Sequence, residues 1–134
     1  MITCENSVRV RYSETDKMGI VHHSQYLNWL ECARIDLLDQ IEMPYTQLEA
    51  AGCFMPVLSL QIEYKRPAKF DDRATTRVSL QEIPSARMEL HYEIRSRKEL
   101  LATATSRHAF TSTKGNAIRP PKQLMAALRK HWLV

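Results

Sequence analysis

The chain has 134 residues, 44% hydrophobic and 25% charged, which fits one globular domain over residues 1–134 with a sizeable core. Its 19 Lys and Arg against 15 Asp and Glu leave +4, too diffuse for nucleic-acid binding and compatible with an anionic small ligand. No apolar run approaches the roughly 20 residues that span a bilayer, and the first residues lack signal-peptide character, so a cytoplasmic protein is expected.

The elements follow in chain order from the spacing of apolar residues. Val8, Val10 and Tyr12 alternate with Arg9 and Arg11, a strand pattern. A long helix is predicted from Ser24, a plausible N-cap, to about Gln40. Its apolar residues (Tyr26, Leu27, Trp29, Leu30, Ala33, Ile35, Leu37, Leu38) cover more than one face, which predicts a largely buried helix with Cys32 as an inert buried thiol. Residues 42–55 form the longest irregular connection, with a helical turn around Gln47 to Ala51. Leu58 to Tyr64, Thr76 to Leu80 and Met88 to Ile94 alternate as strands, and Ala102 to Thr113 reads as a fifth.

Pro84-Ser85-Ala86 and Ser96 to Glu99 are too short for crossover helices, so these strands pair antiparallel. Lys114-Gly115-Asn116 is a turn, and a short amphipathic helix runs from Lys122 to about Lys130. This order makes an α+β domain, a five-stranded antiparallel sheet wrapped around a long central helix. Such a sheet leaves an edge for a second copy to cover, so a homodimer, or a dimer of dimers forming a tetramer, is expected. Cys4, Cys32 and Cys53 have no zinc or disulfide spacing, so no metal is expected.

The segment Tyr12-Ser-Glu-Thr-Asp16-Lys-Met-Gly19-Ile-Val-His-His23 concentrates the chemistry. It holds a carboxylate in a Gly-containing loop just before a helix start, where unpaired N–H groups and the helix dipole favour an anion or a developing one. Asp16 is a candidate nucleophile or general base, and a loop Asp in this position commonly caps the helix or forms an Asx turn instead. His22 and His23 with Asp16 make a weak metal pattern, and a surface pair is the commoner outcome. Tyr12 closes a strand, where core packing competes with a polar role. Gly19 supplies a positive φ or room for a ligand. Glu31 and Arg34, three apart on the helix, are spaced to pair.

Tyr-x-x-Thr-Asp-x-x-Gly-x-Val at residues 12 to 21, followed by Tyr26, Glu31 and Arg34, resembles the hotdog-fold acyl-CoA thioesterases of the 4-hydroxybenzoyl-CoA thioesterase type. The subgroup associated with the Tol-Pal cell-envelope system is the most similar. Pro56-Val57, Tyr64-Lys-Arg-Pro67-Ala68 and Asp71-Asp72 extend the match. The resemblance implies hydrolysis of an acyl- or aroyl-CoA, with Asp16 as catalytic carboxylate, His23 and Tyr12 assisting, and the His23 N–H meeting the thioester carbonyl. It implies substrate contacts around Gly19 and Val21, and Lys65, Arg66 and Lys69 are basic candidates for the coenzyme A phosphates. No cofactor is implied beyond the coenzyme A of the substrate. Aromatic-substrate members carry Asp-Pro after a Cys in this loop, whereas this chain reads Thr-Asp-Lys-Met-Gly. In another branch of the fold the carboxylate sits on the helix, which makes Glu31 the reserve candidate. The rival readings are a non-catalytic acyl-CoA or acyl-carrier-protein binding module, a hotdog dehydratase or hydratase, and an adaptor.

Overall fold

A computed structural model describes residues 1–133. Five strands, β1 (Ile2–Arg9), β2 (Val57–Tyr64), β3 (Arg73–Leu80), β4 (Met88–Ser96) and β5 (Glu99–His108), form one antiparallel sheet in the order β1-β3-β4-β5-β2. The sheet wraps around α1 (Gln25–Gln40), which packs against β1 and β3. A short helix, α2 (Tyr45–Ala50), and a terminal one, α3 (Lys122–Lys130), complete the expected architecture.

The central strands fold as their alternation dictates. Thr76, Val78 and Leu80 of β3, and Met88, Leu90, Tyr92 and Ile94 of β4, all point into the core. Burying one face of each strand fixes the register, since a slip of one residue would turn every apolar side chain outward. The α1 contribution is Tyr26, Trp29, Leu30, Ala33, Leu37 and Leu38, a stripe at helical spacing.

Several expectations are corrected. The first strand runs from Ile2 to Arg9 rather than over Val8 to Tyr12, because its pairing with β3 extends from Ile2↔Leu80 to Arg9↔Arg73. Tyr12 therefore leaves the sheet and begins a 3-10 turn, Tyr12–Glu14. β5 ends at His108, and the chain beyond it keeps only isolated bridges, such as Phe54↔Thr111. Leu27 and Ile35 are 44% and 36% exposed, and Cys32 is exposed too, because all three lie off the buried stripe of α1. Arg34 donates to Tyr92 Oη at 3.3 Å instead of pairing with Glu31. Ser24 is itself helical in backbone, and its Oγ meets His22 Nδ1 at 2.7 Å rather than capping α1. The alternation in β2 buries little, since Val57, Leu58, Leu60 and Tyr64 are all exposed on this edge strand.

Candidate active site

The loop before α1 is a tight, internally bonded hairpin. Thr15 pairs with Val21, Asp16 N–H donates to Ile20 O at 2.9 Å, and Gly19 N–H closes a turn onto Asp16 O at 3.0 Å. Gly19 has φ +79°, a conformation that a side chain would strain. The Asp16 carboxylate accepts Met18 N–H at Oδ1, 2.8 Å, so the Asx turn exists alongside any chemical role. Val21 N–H to Ala68 O at 2.8 Å and His22 N–H to Glu14 O at 2.9 Å tie the hairpin to its surroundings.

Glu14, unremarked in the sequence, anchors this loop. It is only 3% exposed, accepts Arg11 N–H at 2.7 Å on Oε1 and receives the Trp29 indole N–H at 3.2 Å on Oε2. The exposed Arg11 guanidinium lies 3.6 Å from the same carboxylate. Burying a carboxylate requires such partners, and here they join the loop to the core face of α1. The sequence signal for it, a Glu placed three residues after Arg11, is too common to identify a buried anchor.

At the start of α1 the N–H groups of Gln25, Tyr26 and Leu27 donate three residues back, to the carbonyls of His22, His23 and Ser24. Ser24 N–H donates to His22 Nδ1 at 3.2 Å. The His23 N–H has no acceptor among the described residues. It is the helix-start donor left open to a ligand oxygen.

A cleft of about 300 Å³ opens at this point, lined by Asp16, His23, Tyr26, Tyr64, Lys65 and Arg66, with Ile20, Val21 and Pro67 as its apolar parts. Tyr64 donates its hydroxyl to His23 O at 3.2 Å and sets its ring edgewise against Tyr26, centroids 5.0 Å apart. Tyr26 in turn stacks on Trp29 at 4.9 Å. Burial raises the pKa of both phenols above the ordinary tyrosine value, the Ala68 backbone opposing it at Tyr26, so both stay neutral at physiological pH. The backbones of Lys65 and Arg66 both donate to Leu101 O, at 2.8 and 3.1 Å, and the Lys65 ammonium donates to Glu63 Oε2 at 2.9 Å.

Of the predicted residues, Asp16, Val21, His23, Lys65 and Arg66 therefore meet in one cleft. Tyr12 is 77% exposed and lies edgewise on Phe70 at 5.6 Å, outside the lining. Lys69 bridges Ile20 through its backbone and donates its N–H to Asp72 at 2.9 Å, also outside it. Glu31 lies eight residues beyond His23, about 12 Å along the helix, and lines a different cavity. Tyr64, expected as a strand residue and part of a motif but not as a site residue, is brought into the cleft at the end of β2. No cluster of three or more potential metal ligands occurs among the described residues.

A free helix-start N–H, a loop carboxylate and a cationic rim on this fold define a class. Residues 10–128 match the thioesterase-like superfamily, and the chain belongs to it. YneP of Bacillus subtilis, a provisionally assigned acyl-CoA thioesterase, is 33% identical over 109 residues, 81% of this chain and 79% of that protein. The acyl-CoA thioesterase YbgC of Haemophilus influenzae is 30% identical over 122 residues, 90% of each chain. Among solved structures, the DHNA-CoA thioesterase of Staphylococcus aureus superposes with a TM-score of 0.90 at 27% identity, covering 97% of this chain and 91% of that one.

Proposed function

We propose that this protein is an acyl-CoA thioesterase, converting an acyl- or aroyl-CoA and water into the free acid and coenzyme A. The observation that carries the reading is one cleft shared by the Asp16 carboxylate and the His23 residue whose N–H is unengaged. Membership of the thioesterase-like superfamily and the names of its relatives support it.

The chemistry needs few groups. Sulfur gives the thioester carbonyl little resonance, and a thiolate leaves without much acid assistance. The His23 N–H receives the carbonyl oxygen as it becomes negative. Asp16 Oδ1 is held by Met18 N–H, which leaves Oδ2 to attack the carbonyl as a nucleophile or to take a proton from water. Tyr64 holds the peptide at the helix start by its bond to His23 O, and His23, whose ring lies 4.2 Å from that of His22, lines the same cleft as the carboxylate. Lys65 and Arg66 supply positive charge for the coenzyme A phosphates.

The same reading takes the chain as one catalytic domain that works in the cytoplasm without a cofactor. A second copy covers the exposed β2 edge, where Val57, Leu58 and Leu60 face outward. Among the described residues, no helix is long and apolar enough to cross a membrane. The test is turnover of a panel of acyl- and aroyl-CoA thioesters by wild type and Asp16→Asn. The variant keeps the Met18 contact and loses the reactive oxygen, and a fall in kcat of at least about a hundredfold is expected, as for loss of a catalytic base. Undiminished turnover would remove Asp16 from the mechanism.

A further inference from the structure

The excess of positive charge gathers at one end of the chain. Residues 114–134 carry five of the 19 Lys and Arg and none of the 15 Asp and Glu, so residues 1–113, with 14 cations against 15 carboxylates, are close to neutral. The basic segment contains α3, which buries Leu124 and Leu128 in the core and leaves Lys122, Arg129 and Lys130 on its solvent side. Lys122, Met125 and Arg129 follow at spacings of three and four, which puts them in one row along the helix.

That row borders a cleft of about 370 Å³ between α3 and the β3–β4 turn, lined by Ile83, Pro84, Arg119, Pro120, Met125 and Arg129 among others. Arg119 thereby joins the α3 cations on one face. Among the described residues, no carboxylate lies within 4.0 Å of Arg119, Lys122 or Arg129. Lys130 meets Glu42 at 3.8 Å, and both side chains are exposed. Aliphatic groups interrupt the charge: Ile83 lines the cleft, Ile118 precedes Arg119 and Leu133 follows α3, all three exposed and Leu133 at 68%. Trp132, half-buried, stands beside Leu133.

We infer that this face docks on an anionic lipid surface. Lipid phosphates take the cations, and the boundary between headgroups and acyl chains takes the aliphatic side chains and the Trp132 indole. Nucleic acid engages cations together with rings that stack on bases, and this face presents aliphatic groups beside its cations instead. Because α3 keeps its apolar side in the core, the attachment is superficial, reversible and weakened by salt. The Lys130–Glu42 contact places the face just past the C-terminal end of α1, whereas the Asp16 cleft lies at the start of that helix. The length of α1 separates the two by about 24 Å, so a docked molecule keeps its cleft open to solution. The inference does not rest on the thioesterase reading.

Sedimentation of the full chain with vesicles tests it, using phosphatidylcholine alone and an equimolar mixture with phosphatidylglycerol. Wild type is expected to bind the mixed vesicles only, to release in high salt, and to shift its tryptophan emission to the blue through Trp132, since Trp29 is already buried. Each cation near an anionic surface contributes about fivefold to partitioning, so the triple variant Arg119→Gln, Lys122→Gln, Arg129→Gln should bind about a hundredfold more weakly. The triple variant Arg77→Gln, Arg95→Gln, Lys98→Gln removes as much charge from the outer side of the sheet and the β4–β5 turn, and should lose no more than about threefold. All six side chains are exposed, so both variants keep the fold, which circular dichroism verifies. An equal fall in the two variants reduces the effect to net charge and overturns the face. Absence of wild-type binding to the mixed vesicles, or equal binding to both kinds, overturns the lipid surface. Tighter binding at the same salt to a DNA duplex or to polyglutamate overturns it too, and gives the face to a nucleic acid or an acidic protein.

Discussion

His108 gives the fold a pH dependence that one substitution isolates. In the unfolded chain its imidazole titrates at the ordinary value of 6.5, whereas in the folded protein burial first, and Arg34 second, hold it to about 4. Between these values the unfolded chain binds a proton that the folded one excludes, so stability falls as the pH falls. A gap of about 2.5 pH units, at about 1.4 kcal/mol each, makes the loss about 3 kcal/mol by pH 4, with a slope up to about 1.4 kcal/mol per unit. The side chain is 1% exposed, so solvent does not screen this much. For a domain stable by about 5–15 kcal/mol it is a large share. Above about pH 7 the effect is absent. Urea unfolding of wild type and His108→Gln from about pH 7.5 to 4 measures it, because Gln has no proton to gain. Carboxylates such as Asp71, whose pKa is lowered by its hydrogen bond from Arg9, affect both proteins alike and cancel in the difference. The wild type is expected to lose about 3 kcal/mol more than the variant. A stability difference that stays flat with pH refutes the assignment of a buried, neutral His108.

Two further outcomes follow from the active-site scaffold. Glu14→Gln turns one acceptor oxygen into a donor facing either Arg11 N–H or the Trp29 indole N–H; chemical denaturation should show a loss of about 1–3 kcal/mol, with lower kcat in the folded fraction, and wild-type stability would show that the carboxylate holds nothing. Tyr64→Phe removes the bond to His23 O while keeping the ring against Tyr26; a fall in kcat/KM of roughly three- to tenfold with stability changed by no more than about 1 kcal/mol is expected, and unaltered kinetics would show that the helix start needs no such support.

What could be read in the sequence was what depends on near neighbours. The Asp16–Gly19 turn closes within four residues, and its Asp and Gly are the residue types that such a turn selects. β3 and β4 showed their faces because each has one wet side and one dry side. β2 showed the same alternation yet buries little in this chain, since α1 packs mainly against β1 and β3, at the other side of the sheet. β5 was blurred because the residues it turns inward, Ala102, Ala104, Ser106 and His108, are small or polar and lack an apolar signature. In α1 the apolar residues outnumber the places that face the core, so composition placed Leu27, Ile35 and Cys32 inside when the packing leaves them out. The polar chain from Arg34 through Tyr92 and Ser106 to His108 was invisible, because its links join residues up to 58 positions apart.

The same distinction separates the two carboxylates of the Glu14-Thr-Asp16 segment. Two residues apart, they differ little in the sequence and oppositely in the fold. Glu14 is buried, and both of its oxygens are engaged by donors from Arg11 and, fifteen residues away, Trp29. A group so bonded is a poor nucleophile, because attack would expose two donors in the interior. Asp16 is exposed and engaged at one oxygen by its own loop, and it shares its cleft with the unengaged His23 N–H. On the proposed mechanism, reactivity at Asp16 depends on Glu14 remaining unreactive: the buried carboxylate fixes the loop against α1, and a loop so fixed can hold the other at the helix start without using its second oxygen.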